Sequence, residues 1–363
     1  MRRWRATATA TAGAAMLMAA ISMPTLAGHP GNSFRQNNLV SDIPGVARRT
    51  DPNLINPWGM SFAPTSPLWV SDADADVTTL YAGATHPGEA LEVVPLVVSI
   101  PGGAPTGQVY NGSSKFVVSK GSDHGPALFI FASESGKITG WNPAVPSPAP
   151  STEAQVAISH PNAIYKGLAI ANTAHGSWIY AANFHSGQVE VYNGNWARQH
   201  WAGAFQDPGI PDGYAPFNVQ MLGGRIFVAY AKQDANAEDE VAGAHKGFVD
   251  EYSLHGQLLR RVASRGWLNA PWGLAWAPAT GFGRFSGDLL VGNFGDGHIS
   301  AYDPATGDFK GQLRHRDGTK IEIQGLWGLM FGNGTAGSTT SLLFTAGIAD
   351  ESHGLLGTLE ANP

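Results

Sequence analysis

Leu289-Leu290-Val291-Gly292-Asn293-Phe294-Gly295-Asp296-Gly297-His298-Ile299-Ser300-Ala301-Tyr302 reads as two apolar strands joined by a glycine-rich turn. The stretch closes on Tyr302, with Gly297 five positions earlier. Five other stretches fall into the same register. They close on Tyr81, Trp141, Tyr192, Tyr252 and Leu359, and Gly136, Gly187, Gly247 and Gly354 precede four of these anchors by the same interval. Asp76 takes that place in the first copy. The anchors stand 60, 51, 60, 50 and 57 residues apart. Short strands and glycine turns at that period specify an all-β fold, a six-bladed β-propeller.

Working outward, the fifth copy serves as the template. Its four strands are expected at 272–276, 288–293, 298–302 and 310–314, entered through Ala270-Pro271. The first strands of the other copies are expected at Trp58, near Asn111, at Lys166, at Phe217 and at Trp327. The last copy runs out of chain soon after Leu359, one strand short. An orphan segment, Asn37-Asn38-Leu39-Val40-Ser41-Asp42, has strand character and no blade of its own. It is expected to complete the last blade, so that no sheet edge is left open.

The N-terminus reads differently. Arg2, Arg3 and Arg5 precede a run of small and apolar residues, and Thr25-Leu26-Ala27 places small residues at a cleavage site. Residues 1–27 are therefore expected to be a secretory signal peptide, and the protein secreted or periplasmic. Residues 28–363 are expected to form a single propeller domain. No later segment is apolar for long enough to span a bilayer, so no membrane contact is expected after cleavage. The chain has no Cys, which excludes disulfide support and thiolate chemistry. Its formal net charge is −6, and no basic stripe appears, so nucleic acid is excluded as a partner. The motifs of serine hydrolases, phosphate loops and zincins are absent.

In a propeller, the entries to the inner strands and the turns between second and third strands open on one face. The entries contribute Trp58, Asn111, Lys166, Phe217, Asn218, Trp272 and Trp327, the candidate ligand-binding set at the central channel. The turns contribute Asp72, Asp74, His185, His245 and Asp296. Together with Asn111 and Asn218, these are the candidate ligands for a divalent cation. Each group also has a simpler use. Tryptophans at blade entries pack between blades, and Asp and Asn before a turn glycine bond the backbone. Asp72-Ala73-Asp74-Ala75-Asp76 begins like a calcium loop, but Val77 stands where its glycine belongs. The fourth copy inserts an acidic loop, 232–246, with Asp234, Glu238, Asp239 and Glu240, read as a lid or a cation-attracting rim.

Several segments carry a resemblance. Asn38-Leu39-Val40-Ser41-Asp42, Asp51-Pro52-Asn53-Leu54-Ile55-Asn56-Pro57-Trp58-Gly59, Pro105-Thr106-Gly107-Gln108-Val109-Tyr110-Asn111-Gly112 and Gly292-Asn293-Phe294-Gly295-Asp296-Gly297 resemble a family of exported bacterial propellers. Its members are conserved hypothetical proteins, some with a PEP-CTERM sorting tail. This chain shows no such tail before Pro363, which implies release rather than anchoring. The family has no assigned activity, so the resemblance implies no catalytic residues. More distantly, the blades are similar to NHL-type six-bladed propellers, a group that holds binding modules as well as metal-dependent lactonases and a lyase.

The first expectation is a monomeric propeller that binds a small polar or carbohydrate ligand over its channel, with no cofactor. The second is a metal-dependent hydrolase or lyase of the lactonase type. In that case Ca²⁺ or Zn²⁺ at the channel mouth would polarise a carbonyl or activate water. The third is a protein–protein scaffold that uses the rim.

Overall fold

The computed structural model describes residues 32–86 and 88–363. The signal segment expected at 1–27 lies outside them. Among the described residues, no helix is long and apolar enough to cross a membrane.

The described chain forms six antiparallel blades. The first holds Pro57–Ser61, Leu68–Asp72, Val77–Gly83 and Leu91–Ser99. The second holds Pro105–Tyr110, Phe129–Ser133, Lys137–Trp141 and Gln155–Ser159. The third runs from Tyr165–Thr173 and Gly176–Asn183 to Gln188–Asn193 and a short outer strand, Arg198–Gln199. The fourth holds Tyr214–Leu222, Arg225–Lys232, Phe248–Tyr252 and Leu258–Ser264. The fifth holds Pro271–Trp276, Leu289–Asn293, Ile299–Tyr302 and Phe309–Gln312. The sixth holds Leu326–Phe331, Leu342–Ile348 and His353–Ala361.

The orphan segment closes the ring as expected. Phe34–Ser41 pairs antiparallel with His353–Ala361, from Phe34 opposite Ala361 to Ser41 opposite Leu355. Phe34, Leu39 and Val40 are buried by this docking. At the far end of the pair, Asp42 accepts from the Gly354 amide at 2.8 Å and meets His353 Nδ1 at 2.6 Å.

All six anchors are buried, because each third strand turns that side chain between adjacent blades. The glycine before them serves two purposes. Gly136, Gly187 and Gly297 take φ of +72°, +70° and +66°. Asp76, at the equivalent place, takes +57°, a left-handed conformation that Asp tolerates better than most residues. Gly247 and Gly354 are needed for space instead. A Cβ there would lie 2.5 Å from Pro271 Cδ and 2.0 Å from the Leu54 carbonyl oxygen.

One expected boundary is corrected. The second blade enters at Pro105, not near Asn111. A hairpin, Val117–Lys120 with Asp123–Pro126, is inserted between its first and second strands. That insertion lengthens the copy and displaced the apparent start of its inner strand.

Candidate functional site

Each inner strand carries a β-bulge near its entry. The register shifts at Pro57/Met60, opposite Phe131/Ser133, and at Tyr165/Gly167, Pro216/Asn218, Pro271/Gly273 and Leu326/Leu329. A bulge re-aims the side chain it contains. Here the bulged positions are Trp58, Thr106, Lys166, Phe217, Trp272 and Trp327. The next residue is glycine in five blades and Asn218 in the fourth. These glycines form the channel neck, where inner strands pass too close for a side chain. A Cβ on Gly107 would stand 2.3 Å from the Leu168 nitrogen, and one on Gly59 2.5 Å from the Thr106 carbonyl oxygen. Asn218 fits because its amide is part of the wall. Its Nδ2 donates to the Trp272 carbonyl at 2.7 Å, and its Oδ1 accepts from the Val219 amide at 2.8 Å.

The aromatic residues close the channel. Trp58 stacks on Trp327 with centroids 3.5 Å apart, and Trp272 meets both edge-on at 5.9 and 5.8 Å. Phe294 stacks on Trp327 at 4.1 Å, and Phe217 and Phe184 complete the cluster. All of these except the partly buried Phe294 are at most 4% exposed. They form a plug, and their faces are occupied by one another. Trp272 Nε1 donates to the Lys166 carbonyl and Trp327 Nε1 to Asn56 Oδ1, both at 3.0 Å. Trp58 Nε1 is buried without a partner.

Lys166 lies on the plug. It is 2% exposed, and its ammonium stands 5.4 Å from the Trp58 ring centroid and 5.9 Å from that of Phe184. A buried ammonium needs partners, and blades two and four supply them. Glu134, from the turn of blade two, pairs with Nζ, and Asp239 Oδ1 lies 3.0 Å away. Asp239 and Glu240 come from the 232–246 loop. That loop is held by a bridge between Gln233 and Glu240 and by Gln233 Nε2 donating to the Phe184 carbonyl at 2.6 Å. Burial disfavours the Lys166 charge, but Glu134, Glu240 and Asp239 outweigh it and raise its pKa. Burial pushes Glu240 up to about 7, against the pull of Lys166. Glu351, of blade six, is also raised by burial, although Asn56 Nδ2 donates to it at 2.9 Å. Asp74 lies near the same amide and is raised for the same reason. Carboxylates from blades two, four and six thus converge around one ammonium, and Asp74 of blade one neighbours Glu351.

The remaining expected residues divide. Asn111 is on the opposite face, at the far end of its strand. Its Nδ2 donates to the Lys115 and Ala127 carbonyls at 3.0 and 2.8 Å. The expectation that it joins Lys166 at the channel mouth is therefore corrected; the displaced boundary of blade two produced it. Asp72 is fully buried and accepts from Thr79 Oγ1 at 2.7 Å; burial raises its pKa well above the usual range. It faces the interior of blade one rather than solvent. His185 Nδ1 lies 3.2 Å from the Ala237 carbonyl, and His245 Nδ1 2.7 Å from that of Gly266. Asp296 accepts from Asn293 Nδ2 at 3.0 Å. Asp296 is engaged in its own turn, whereas His185 reaches the 232–246 loop and His245 the segment after the fourth strand of its blade. Among the described residues, no group of three or more His, Cys, Asp or Glu side chains is arranged to hold a metal ion. Asn56 and Glu351 were not singled out from sequence. Asn56 precedes an inner strand, as other mouth residues do, and that position was the available signal.

No family model matches the chain. It is 31% identical over 334 residues to "Uncharacterized protein R648" of Acanthamoeba polyphaga mimivirus, covering 90% of this chain and 80% of the relative. It is 32% identical over 305 residues to "Uncharacterized protein L690" of the same virus, covering 82% and 78%. Among solved structures, the soluble aldose sugar dehydrogenase of Escherichia coli in its apo-form superposes with a TM-score of 0.53 at 11% identity, over 91% of this chain and all of that one. That likeness shows a shared propeller fold. At the sequence level, the chain belongs to the family of propellers that includes these two mimivirus proteins.

Proposed function

We propose that this protein is an exported binding module for a small hydroxylated ligand, of sugar type and bearing an amine. The observation that carries the reading is the excess of acceptors around Lys166. Glu134, Asp239, Glu240 and Glu351 act on a single ammonium, which pairs directly with the first two. Part-exposed oxygen acceptors at the channel mouth favour a ligand rich in O–H and N–H donors, and the negative balance favours a cationic one. The plug beneath is rigid and supplies a floor. The metal-dependent hydrolase has less support. Asn111 is on the other face, Asn218 is used within the wall, and Lys166 provides the positive charge at the channel mouth.

Calorimetric titration of the mature chain tests this with glucose, glucosamine, Ca²⁺ and Zn²⁺. Glucosamine is expected to bind more tightly than glucose at pH 7, where its amine carries a proton, and to lose affinity at pH 5.5 as Glu240 takes up a proton. Absence of heat with either sugar up to about 10 mM would remove the reading. Binding of either cation tighter than that would restore the metal-dependent alternative.

A further inference from the structure

The channel continues below the plug. Past the glycine neck it widens on the opposite face into a cavity of about 380 Å³, within the range of small-molecule sites, roughly 300–1,000 Å³. Its wall comes from the far ends of inner strands of different blades, and most of it is apolar. Met60, Met221 and Met330 line it with Phe62, Phe331 and Trp276. Thioether side chains adapt to the shape of a guest and contact aromatic edges favourably.

The polar side chains on this wall are Ser61, Gln108, Tyr110 and Gln220, and two of them, Gln108 and Ser61, hold a buried oxygen without a partner. Gln108 is 4% exposed and lines both the neck and the cavity. Its Nε2 donates to the Gly59 carbonyl at 2.8 Å and the Trp69 carbonyl at 2.7 Å. Two carbonyl acceptors on one side fix which end of the amide is nitrogen. The other end, Oε1, is therefore an acceptor, and it is buried without a partner. Ser61 Oγ, on the same wall and 5% exposed, is also buried without a partner. Leaving a buried acceptor unpaired is costly, and a donor brought to it recovers that cost.

We propose that this cavity binds a flat, mainly apolar small molecule whose leading edge carries one hydrogen-bond donor for Gln108 Oε1. The methionines and aromatics hold its body, and the amide sets its orientation. The site is separated from Lys166 by the plug and does not depend on the ligand proposed there.

Indole and 1-methylindole test this, since they share a ring and differ in the N–H donor. Titration followed by calorimetry on the full mature chain is expected to show indole binding, with 1-methylindole about tenfold weaker. Met221 is 40% exposed at the cavity rim, so Met221→Arg should block the entrance and abolish both without lowering the melting temperature. Failure of indole to bind the unmodified chain overturns the site. Equal affinity for the two probes overturns the role of Gln108. Undiminished binding to a folded Met221→Arg variant places the probes elsewhere and overturns the proposal as well.

Discussion

Trp58 and Trp327 come from the first and last blades, and their rings stack with centroids 3.5 Å apart and an 18° tilt. The join of the ring is thus sealed twice. At the channel mouth the two tryptophans meet, and Thr345 Oγ1 donates to the Trp58 carbonyl at 2.5 Å. At the outside, Phe34–Ser41 completes the last sheet. Between these seals runs a core that joins Leu39, Val40, Leu54 and Met60 to Leu343 and Leu356.

Deleting the chain up to Asp42 removes the outer seal. Phe34, Leu39 and Val40 lose their burial, at about 1.5–3 kcal/mol each, and His353–Ala361 becomes a free edge open to other chains. The truncated protein is expected to lose about 5 kcal/mol or more and to aggregate. A urea midpoint unchanged from that of the intact chain would show that the strand is not needed for closure.

The neck glycines and the turn glycines should respond differently to alanine. Gly107→Ala forces a methyl against the backbone of the next blade, expected to cost about 1–3 kcal/mol or more. Gly187→Ala has open space around it and only its φ of +70° to pay for, expected at about 1 kcal/mol. Equilibrium unfolding of the two variants decides this, and a reversed order would contradict the neck packing.

Lys166→Met leaves Glu134, Glu240 and Glu351 facing one another without their cation. These carboxylates are part-exposed, so the loss at pH 8 is expected at about 1–3 kcal/mol, below that of a fully buried pair. Asp239→Asn alters a partner whose side chain is 74% exposed, so its loss should be at most about 1 kcal/mol. Equal destabilisation by both would mean that the loop residue, not the burial of Lys166, controls the cluster.

Glu240 makes stability depend on pH. Its folded value is raised from 4.5 to about 7 by burial. Between those values the folded chain keeps a proton that the unfolded chain has released. Stability therefore falls as pH rises through this window. Glu240→Gln cannot ionise, so its drop in unfolding free energy between pH 5 and pH 8 should be smaller by about 2 kcal/mol. Identical pH profiles for variant and parent would assign the titration to another group, with Asp250, also raised to about 7 by burial, the first to test.

The architecture was legible because it repeats. A buried anchor and a turn glycine recur in register, and both are demanded by local backbone geometry and by packing that is alike in each blade. Closure was legible for the same reason, since a copy one strand short and a strand without a blade complement each other. The bulged position before each neck glycine was visible as Trp58-Gly59, Lys166-Gly167, Trp272-Gly273 and Trp327-Gly328. In blade two the pair is Thr106-Gly107, which carries no aromatic or charged signal, and the inserted hairpin drew attention to Asn111 instead. What only the tertiary structure decided was which groups meet. Lys166, Glu134, Glu240 and Glu351 lie far apart along the chain and share no motif, because their convergence is set by ring closure and the path of the 232–246 loop. The unpaired oxygen of Gln108 was hidden for a related reason: an amide in a strand reads as an ordinary polar residue until its neighbours show that its nitrogen is engaged and its oxygen is not.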